Sequence, residues 1–263
     1  MNYIPIGIID SGSGGLSIWK EITLLLPGES TVYIGDHAHL PYSEKTTEFI
    51  RNRVFKLIQY LVTIRAKLVV IACNTATVAG IDWYREQFPD IPIIGVVPVI
   101  KTAVEVTKTK HIAVLSTVYT ANSSYQQKLI SIYASKCRVE IFSNSHLVEL
   151  IESPRDTTKI IQKELQSILK LHNTPIDTLV LGCTHFPFID HEIRLTVGPN
   201  VQILDSGGAV ARHVQRILIH NAIQSSSSKG NHIFYTTGNC LNVAKTFKKL
   251  LKRTIVVLKA AIE

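Results

Sequence analysis

The sequence predicts an α/β protein of two similar lobes, each built on a parallel sheet. Three observations carry this. Short β-rich apolar runs alternate with stretches of helical periodicity along nearly the whole chain, the pattern of parallel strands joined by crossover helices. The run Leu68-Val-Val-Ile-Ala72 is apolar without interruption, as a strand covered on both faces should be. The second half also echoes the first: Ile6-Gly-Ile-Ile-Asp-Ser11 by Ile112-Ala-Val-Leu-Ser-Thr117, and Leu68-Val-Val-Ile-Ala-Cys-Asn-Thr75 by Thr178-Leu-Val-Leu-Gly-Cys-Thr184.

Residues 6–9 read as the first strand, followed by a glycine turn and a helix over 16–26. A strand at 32–34 precedes a helix over 44–65, where Phe49, Ile50, Val54, Leu57, Ile58 and Leu61 form the apolar stripe. Strand 68–72, helix 75–88 and strand 93–97 complete the first series. After Pro98 the second series runs strand 111–115, helix 121–133, strand 138–142, helix 157–171, strand 179–181 and strand 201–204. A helix over 209–224, a serine-rich loop at 225–230, strand 233–235, helix 243–251 and strand 254–258 close the chain.

Composition narrows the class. Hydrophobic residues make up 46% of 263, enough for a sizeable core, and no apolar run reaches the roughly eighteen residues of a membrane span. The first thirty residues lack the features of a secretory signal, so the expectation is an unexported protein with reduced thiols. The charge of +8 is spread out except at Lys245, Lys248, Lys249, Lys252 and Arg253, which read as a solvated helix face. No aromatic stacking pattern accompanies them, so neither a nucleic-acid nor a membrane partner is expected. The four cysteines, at 73, 137, 183 and 240, show no metal-site spacing, and no metal is expected.

Taken alone, Cys73 is a core cysteine ending a buried strand. Its context matches that of Cys183, however. Cys73-Asn-Thr-Ala76 and Cys183-Thr-His185 both stand where a strand ends and a helix begins, the place where parallel α/β folds bind ligands. Helix N-termini also stabilise thiolates. Chemistry and structure are then about equally good accounts of the pair. Cys137 and Cys240 have no such neighbours and read as structural. His185 either begins a helix or tunes the nearby thiol; Asp10 serves the first thiol or caps a helix; Thr117 and Thr120 line a site or cap the helix after them.

Asp10-Ser11-Gly12-Ser13-Gly14-Gly15 offers a tight turn of backbone N–H groups. It matches half of a dinucleotide fingerprint, with Asp36 at about the spacing, roughly twenty residues, of a ribose ligand. An NAD-dependent oxidoreductase is thus the competing reading. Against it, Asp10 would repel the pyrophosphate, and the third glycine position is Ser17.

Taken together, Asp10-Ser11-Gly12, Gly14-Gly15, Gly35-Asp36, Pro41-Tyr42, Cys73-Asn74-Thr75-Ala76, Gly182-Cys183-Thr184-His185-Phe186-Pro187 and Asp205-Ser206 resemble the glutamate racemase family of cofactor-independent aspartate/glutamate racemases. The match runs nearly the whole length. It implies two α/β domains facing each other across a central active-site cleft, residues 1–97 plus 207–263 carrying Cys73 and residues 98–206 carrying Cys183. It implies Cys73 and Cys183 as catalytic thiols that interconvert L- and D-glutamate without cofactor or metal. Substrate would meet Asp10, Ser11, Tyr42, Ser43, Asn74, Thr75, Thr117, Thr120, Thr184 and His185, and Glu152 matches an acidic position linked to His185. The resemblance further implies a bacterial cytoplasmic enzyme supplying D-glutamate for peptidoglycan, and a homodimer is compatible with it. The family usually reads Pro-Tyr-Gly, where this chain has Ser43; its backbone N–H is expected to keep the contact and its hydroxyl to be tolerated.

Overall fold

The alternating runs fold into two wholly parallel sheets in the computed structural model, which describes residues 4–169 and 174–262. The strands are β1 (Ile6–Asp10), β2 (Thr31–Gly35), β3 (Leu68–Ile71), β4 (Ile93–Gly95), β5 (His111–Ser116), β6 (Arg138–Ser143), β7 (Thr178–Gly182), β8 (Gln202–Leu204), β9 (His232–Thr236) and β10 (Val257–Lys259). One sheet has six strands in the order β10-β9-β2-β1-β3-β4; the other has four in the order β6-β5-β7-β8. The run β2-β1-β3-β4 and the run β6-β5-β7-β8 have the same topology, which is the structural counterpart of the echoed sequence segments.

The helices are α1 (Leu16–Leu25), α2 (Thr47–Thr63), α3 (Asn74–Gln87), α4 (Ile100–Val106), α5 (Val118–Ala121), α6 (Ser124–Tyr133), α7 (His146–Glu152), α8 (Thr158–Ile168), α9 (Asp190–Val197), α10 (Gly207–His220) and α11 (Cys240–Leu251). The longer helices cover the sheet faces with apolar stripes. In α2, Ile50, Val54, Leu57, Ile58 and Leu61 are fully buried against Val69 and Ile71 of β3, and each such side chain contributes about 1.5–3 kcal/mol. Thr46 starts this helix by accepting the Phe49 N–H at 3.2 Å. Successive β3 residues alternate sides, Leu68 and Val70 packing with α1, Val69 and Ile71 with α2, so both faces of the sheet are covered.

The chain leaves the six-stranded lobe near Val97 and returns near Ser206. Ser206 Oγ donates to the Val97 carbonyl at 2.8 Å and ties the two crossings together. Beyond it, α10 lays Val210, Ala211, Val214 and Leu218 against Leu16, Trp19 and Ile22 of α1. Among the described residues, no helix is long and apolar enough to cross a membrane.

The structure departs from the sequence reading in its short helices. The helix expected over 121–133 is two, α5 and α6, because Ser123 breaks the chain and caps α6 at the Gln126 N–H, 3.2 Å away. Helices α4, α7 and α9 have seven or eight residues, too few for an apolar stripe to repeat. Of the helix expected over 157–171, α8 is seen; residues 170 and 171 lie outside the described residues. The basic cluster is not wholly solvated: Lys249 Nζ donates to the carbonyls of Ile151 at 2.7 Å and Ser153 at 2.5 Å, and the Arg253 guanidinium stands 4.9 Å from the Trp19 ring centroid.

Candidate active site

Parallel register decides which groups meet at the carboxyl ends of the strands. Ile9 of β1 lies beside Ile71 of β3, so Asp10-Ser11 and Ala72-Cys73 leave the sheet together. In the other lobe Ser116 pairs with Gly182, bringing Thr117 beside Cys183. Both ends open on one narrow cleft, lined by Ser11, Pro41, Tyr42, Ser43, Cys73, Asn74, Thr75, Thr117, Val148, Cys183, Thr184 and His185. The two cysteines thus reach a shared space from different sheets, each only 6% exposed.

Their surroundings differ. Cys73 is the N-cap of α3, its sulfur accepting the Ala76 N–H at 3.5 Å and lying 3.5 Å from Ser11 Oγ. Burial and the neighbouring Asp10 carboxylate push this thiol up to about 12, so at neutral pH it is a protonated acid. Cys183 Sγ lies 3.7 Å from His185 Nδ1, and His185 Nε2 lies 2.7 Å from Glu152 Oε1. Burial alone would lower the His185 pKa, but its bonds to Cys183 and Glu152 hold it well above the ordinary histidine value. Glu152 likewise resists its burial: the hydrogen bond and charge of His185, with His37 and Ser13, hold it at about 2. One thiol therefore faces a buried carboxylate and the other a buried imidazolium–carboxylate pair.

Behind the lining, Asp10 is fully buried; its Oδ1 accepts the Gly12 N–H at 2.7 Å, and Thr184 Oγ1 donates to its Oδ2 at 3.3 Å. Burial raises the Asp10 pKa even against the pull of His185. Thr75, Thr117 and Thr120 form a triangle of hydroxyls: Thr75–Thr117 and Thr117–Thr120 at 3.1 Å, Thr75–Thr120 at 3.4 Å. Asn74 Nδ2 donates to the Val96 carbonyl at 3.3 Å. Tyr42 turns its hydroxyl away from the cleft to Asp36 Oδ2, 2.7 Å off, and offers its ring as wall. Ser43 Oγ is buried with no hydrogen-bond partner. Asp10 and Thr120 therefore support the lining from behind, while the other expected contact residues reach the cleft directly.

The glycine loop is explained by close approach. A Cβ on Gly14 would lie 2.3 Å from His185 Nδ1, and one on Gly12 would lie 2.3 Å from Glu152 Oε1. The loop is thus the surface against which the other lobe's His185 and Glu152 pack. Asp36, the residue a dinucleotide reading needs for a ribose, is committed elsewhere: it is fully buried and bonded to Arg53, Tyr42 and Thr237. Sequence reasoning had no signal for Val148, because α7 itself was not visible; Pro41 entered only as a motif residue.

A family model for Asp/Glu/hydantoin racemases matches residues 6–214. The chain belongs to that family. Among curated relatives, the glutamate racemase of Shewanella piezotolerans is 39% identical, covering 94% of this chain and 92% of its own length. Among solved structures, the glutamate racemase isoform RacE1 of Bacillus anthracis superposes with a TM-score of 0.91 at 32% identity, covering 100% of this chain and 99% of its own. The Escherichia coli glutamate racemase, solved with L-glutamate and the activator UDP-MurNAc-ala, gives a TM-score of 0.86 at 33% identity over 97% of each chain. These likenesses place the chain among the glutamate racemases, isomerases whose two parallel-sheet α/β domains it shares.

Proposed function

We propose that the protein interconverts L- and D-glutamate, with Cys73 and Cys183 as opposed acid/bases and without cofactor. What supports this most is the pair of buried cysteines lining one cleft from two lobes. Inverting an α-carbon means removing its proton from one face and delivering one to the other. A single base would have to travel around the substrate; two fixed thiols need not move. The lobes are assigned as residues 1–97 plus 207–263 and residues 98–206, the first supplying Cys73 and the second Cys183.

In the direction from L-glutamate, Cys183 takes the proton with the His185 imidazolium beside it, and Cys73, held as the thiol, delivers one from the opposite face. From D-glutamate the roles reverse. Thr75 and Thr117 line the cleft and turn their hydroxyls from each other to a substrate carboxylate, with Thr120 bonded to both from behind. Ser11, Asn74, Thr184 and His185 hold the substrate across the cleft, and backbone N–H groups at the strand ends stabilise the enolate-like charge. The role follows from the product: D-glutamate for bacterial peptidoglycan, made in the cytoplasm.

Incubation with either enantiomer, with no cofactor added, is expected to drive optical rotation to zero, and in deuterated water the product should carry deuterium at the α-carbon. Retention of the original hydrogen, or a requirement for added NAD, would replace this reading with hydride transfer.

The Ser43 hydroxyl makes no hydrogen bond that its removal would break. Ser43→Gly is accordingly expected to change kcat/KM for glutamate by less than about tenfold, or roughly 1.4 kcal/mol. A full loss of activity in a folded Ser43→Gly protein would make the hydroxyl a working ligand.

A further inference from the structure

Glu152 ends α7 in the four-stranded lobe, yet most of its bonds reach into the other lobe. Its Oε1 accepts the Ser13 N–H at 2.5 Å, and its Oε2 accepts the Ser13 hydroxyl at 2.6 Å. Its own carbonyl accepts the Thr246 hydroxyl of α11 at 2.8 Å, and Lys249 of the same helix bonds to the carbonyls on either side, of Ile151 and Ser153. From its own lobe the carboxylate holds His185 Nε2, 2.7 Å away. The residue is a rivet through the interface, with His185 and then Cys183 hanging from it.

A histidine stands behind the rivet. Ser13 has one hydroxyl proton, and it goes to Glu152, so the contact of 3.0 Å between Ser13 Oγ and His37 Nε2 has the histidine as donor. His37 is aimed by its other nitrogen, which lies 2.9 Å from Thr236 Oγ1 and 3.1 Å from the Gly35 carbonyl. Its Nε2 is also 3.8 Å from Glu152 Oε2. A continuous line of contacts therefore runs His37–Ser13–Glu152–His185–Cys183, starting in one lobe and ending at the thiol of the other.

We infer that Ser13 and His37 are positioning residues for the Cys183 half of the reaction, acting from the opposite lobe through Glu152 on His185. The inference rests on the two-thiol reading. Neither residue lines the cleft. Their effect is to fix the Glu152 carboxylate: with both Ser13 donors in place, it cannot rotate and draw the His185 ring from its contact with Cys183. Since these donors belong to the first lobe, the alignment of Cys183 is complete only with the lobes together. Cys73 has its own supports, Ser11 and the Ala76 N–H, and no bond to this line.

The two enantiomers are equal in free energy, so any variant must lower kcat/KM equally in both directions, and rates alone cannot say which thiol is affected. Primary isotope effects can. Ser13→Ala is expected to lower kcat/KM by roughly tenfold, the loss of a hydrogen bond to a charged group. It should also raise the deuterium effect measured with α-deuterated L-glutamate and reduce that with α-deuterated D-glutamate, because the step at Cys183 becomes more rate-limiting. His37→Leu should shift the ratio the same way, and His37→Gln, which keeps an N–H toward Ser13, should restore it. If Ser13→Ala and His37→Leu leave the ratio at the wild-type value, whether or not activity falls, their role is structural and the inference is wrong. Wild-type protein that shows no α-hydrogen exchange would instead overturn the two-thiol reading, and the inference with it.

Discussion

Replacing Cys183 with serine is expected to lower kcat/KM for glutamate by roughly a thousandfold to ten-thousandfold, about 4–5.5 kcal/mol of transition-state stabilisation. A serine hydroxyl is a far weaker acid than a thiol and supplies no usable base near neutral pH. Cys73→Ser should be as damaging, since each direction of the reaction uses one thiol as base and the other as acid. The fall must be the same from L- and D-glutamate, because the equilibrium constant between enantiomers is one. The fold should survive: each sulfur is buried, but serine fills nearly the same space. Cys137 and Cys240 are half-buried and absent from the cleft lining, so their serine variants should keep near-wild-type rates. Polarimetry of the four purified variants decides the matter. A fully active Cys183→Ser protein would end the two-base mechanism.

Asp36→Ala is expected to destabilise the fold by about 3–5 kcal/mol, the range for breaking a buried ion pair from one side. Arg53 Nε donates to both Asp36 oxygens at 3.2 Å and 3.0 Å, with its Nη2 at 3.1 Å from Oδ1. Tyr42 and Thr237 each add a hydroxyl bond at 2.7 Å. Alanine would strand a guanidinium that is itself 6% exposed and free two buried hydroxyls. For a chain of this size the melting point should drop by roughly 6–20 °C. Tyr42 would also lose the bond that fixes its ring in the cleft wall, so KM should rise in the protein that remains folded.

The pH dependence has a definite sign. Burial alone would raise the Asp36 pKa, but the bonds from Arg53, Tyr42 and Thr237 outweigh it and hold it below the ordinary carboxylate value. A carboxylate whose folded pKa is depressed stabilises the protein fully above its unfolded pKa, about 3.9 for Asp. That stability is lost as pH falls through the folded pKa. Melting temperatures from pH 7 downward should therefore converge between wild type and Asp36→Ala at acid pH. A gap that stayed constant would assign the loss to packing and not to the ion pair.

Much of this architecture was legible in the sequence. Each strand expected from the apolar runs has a counterpart, the last of them moved from 254–258 to Val257–Lys259. The central strands show most plainly, because a strand covered on both faces must be apolar along its length, and that requirement shows in four or five residues. The matched contexts of Cys73 and Cys183 were visible for a related reason: a strand end is a fixed point in a parallel sheet, and the residue after it meets the cleft whatever the loops do. Longer helices such as α2 and α10 showed through their stripes. The short helices did not, since seven residues complete fewer than two turns and local propensity alone does not separate them from loop.

The sequence by itself determined two sheets, two strand-end thiols and the glycine loop near one of them. Only the tertiary structure decided what that loop is for. Ser13 and Glu152 are 139 positions apart, and no periodicity or local motif connects residues at that separation. Their contact exists because the lobes close on each other, and it requires Gly12 and Gly14 to leave room for a carboxylate and an imidazole from the far side. The same holds for Asp36, which in sequence stood at the spacing of a ribose ligand and in the fold is turned inward to Arg53. Burial fixes strands through composition, one segment at a time; the partner of a buried charge is chosen by packing, and packing is a property of the whole chain.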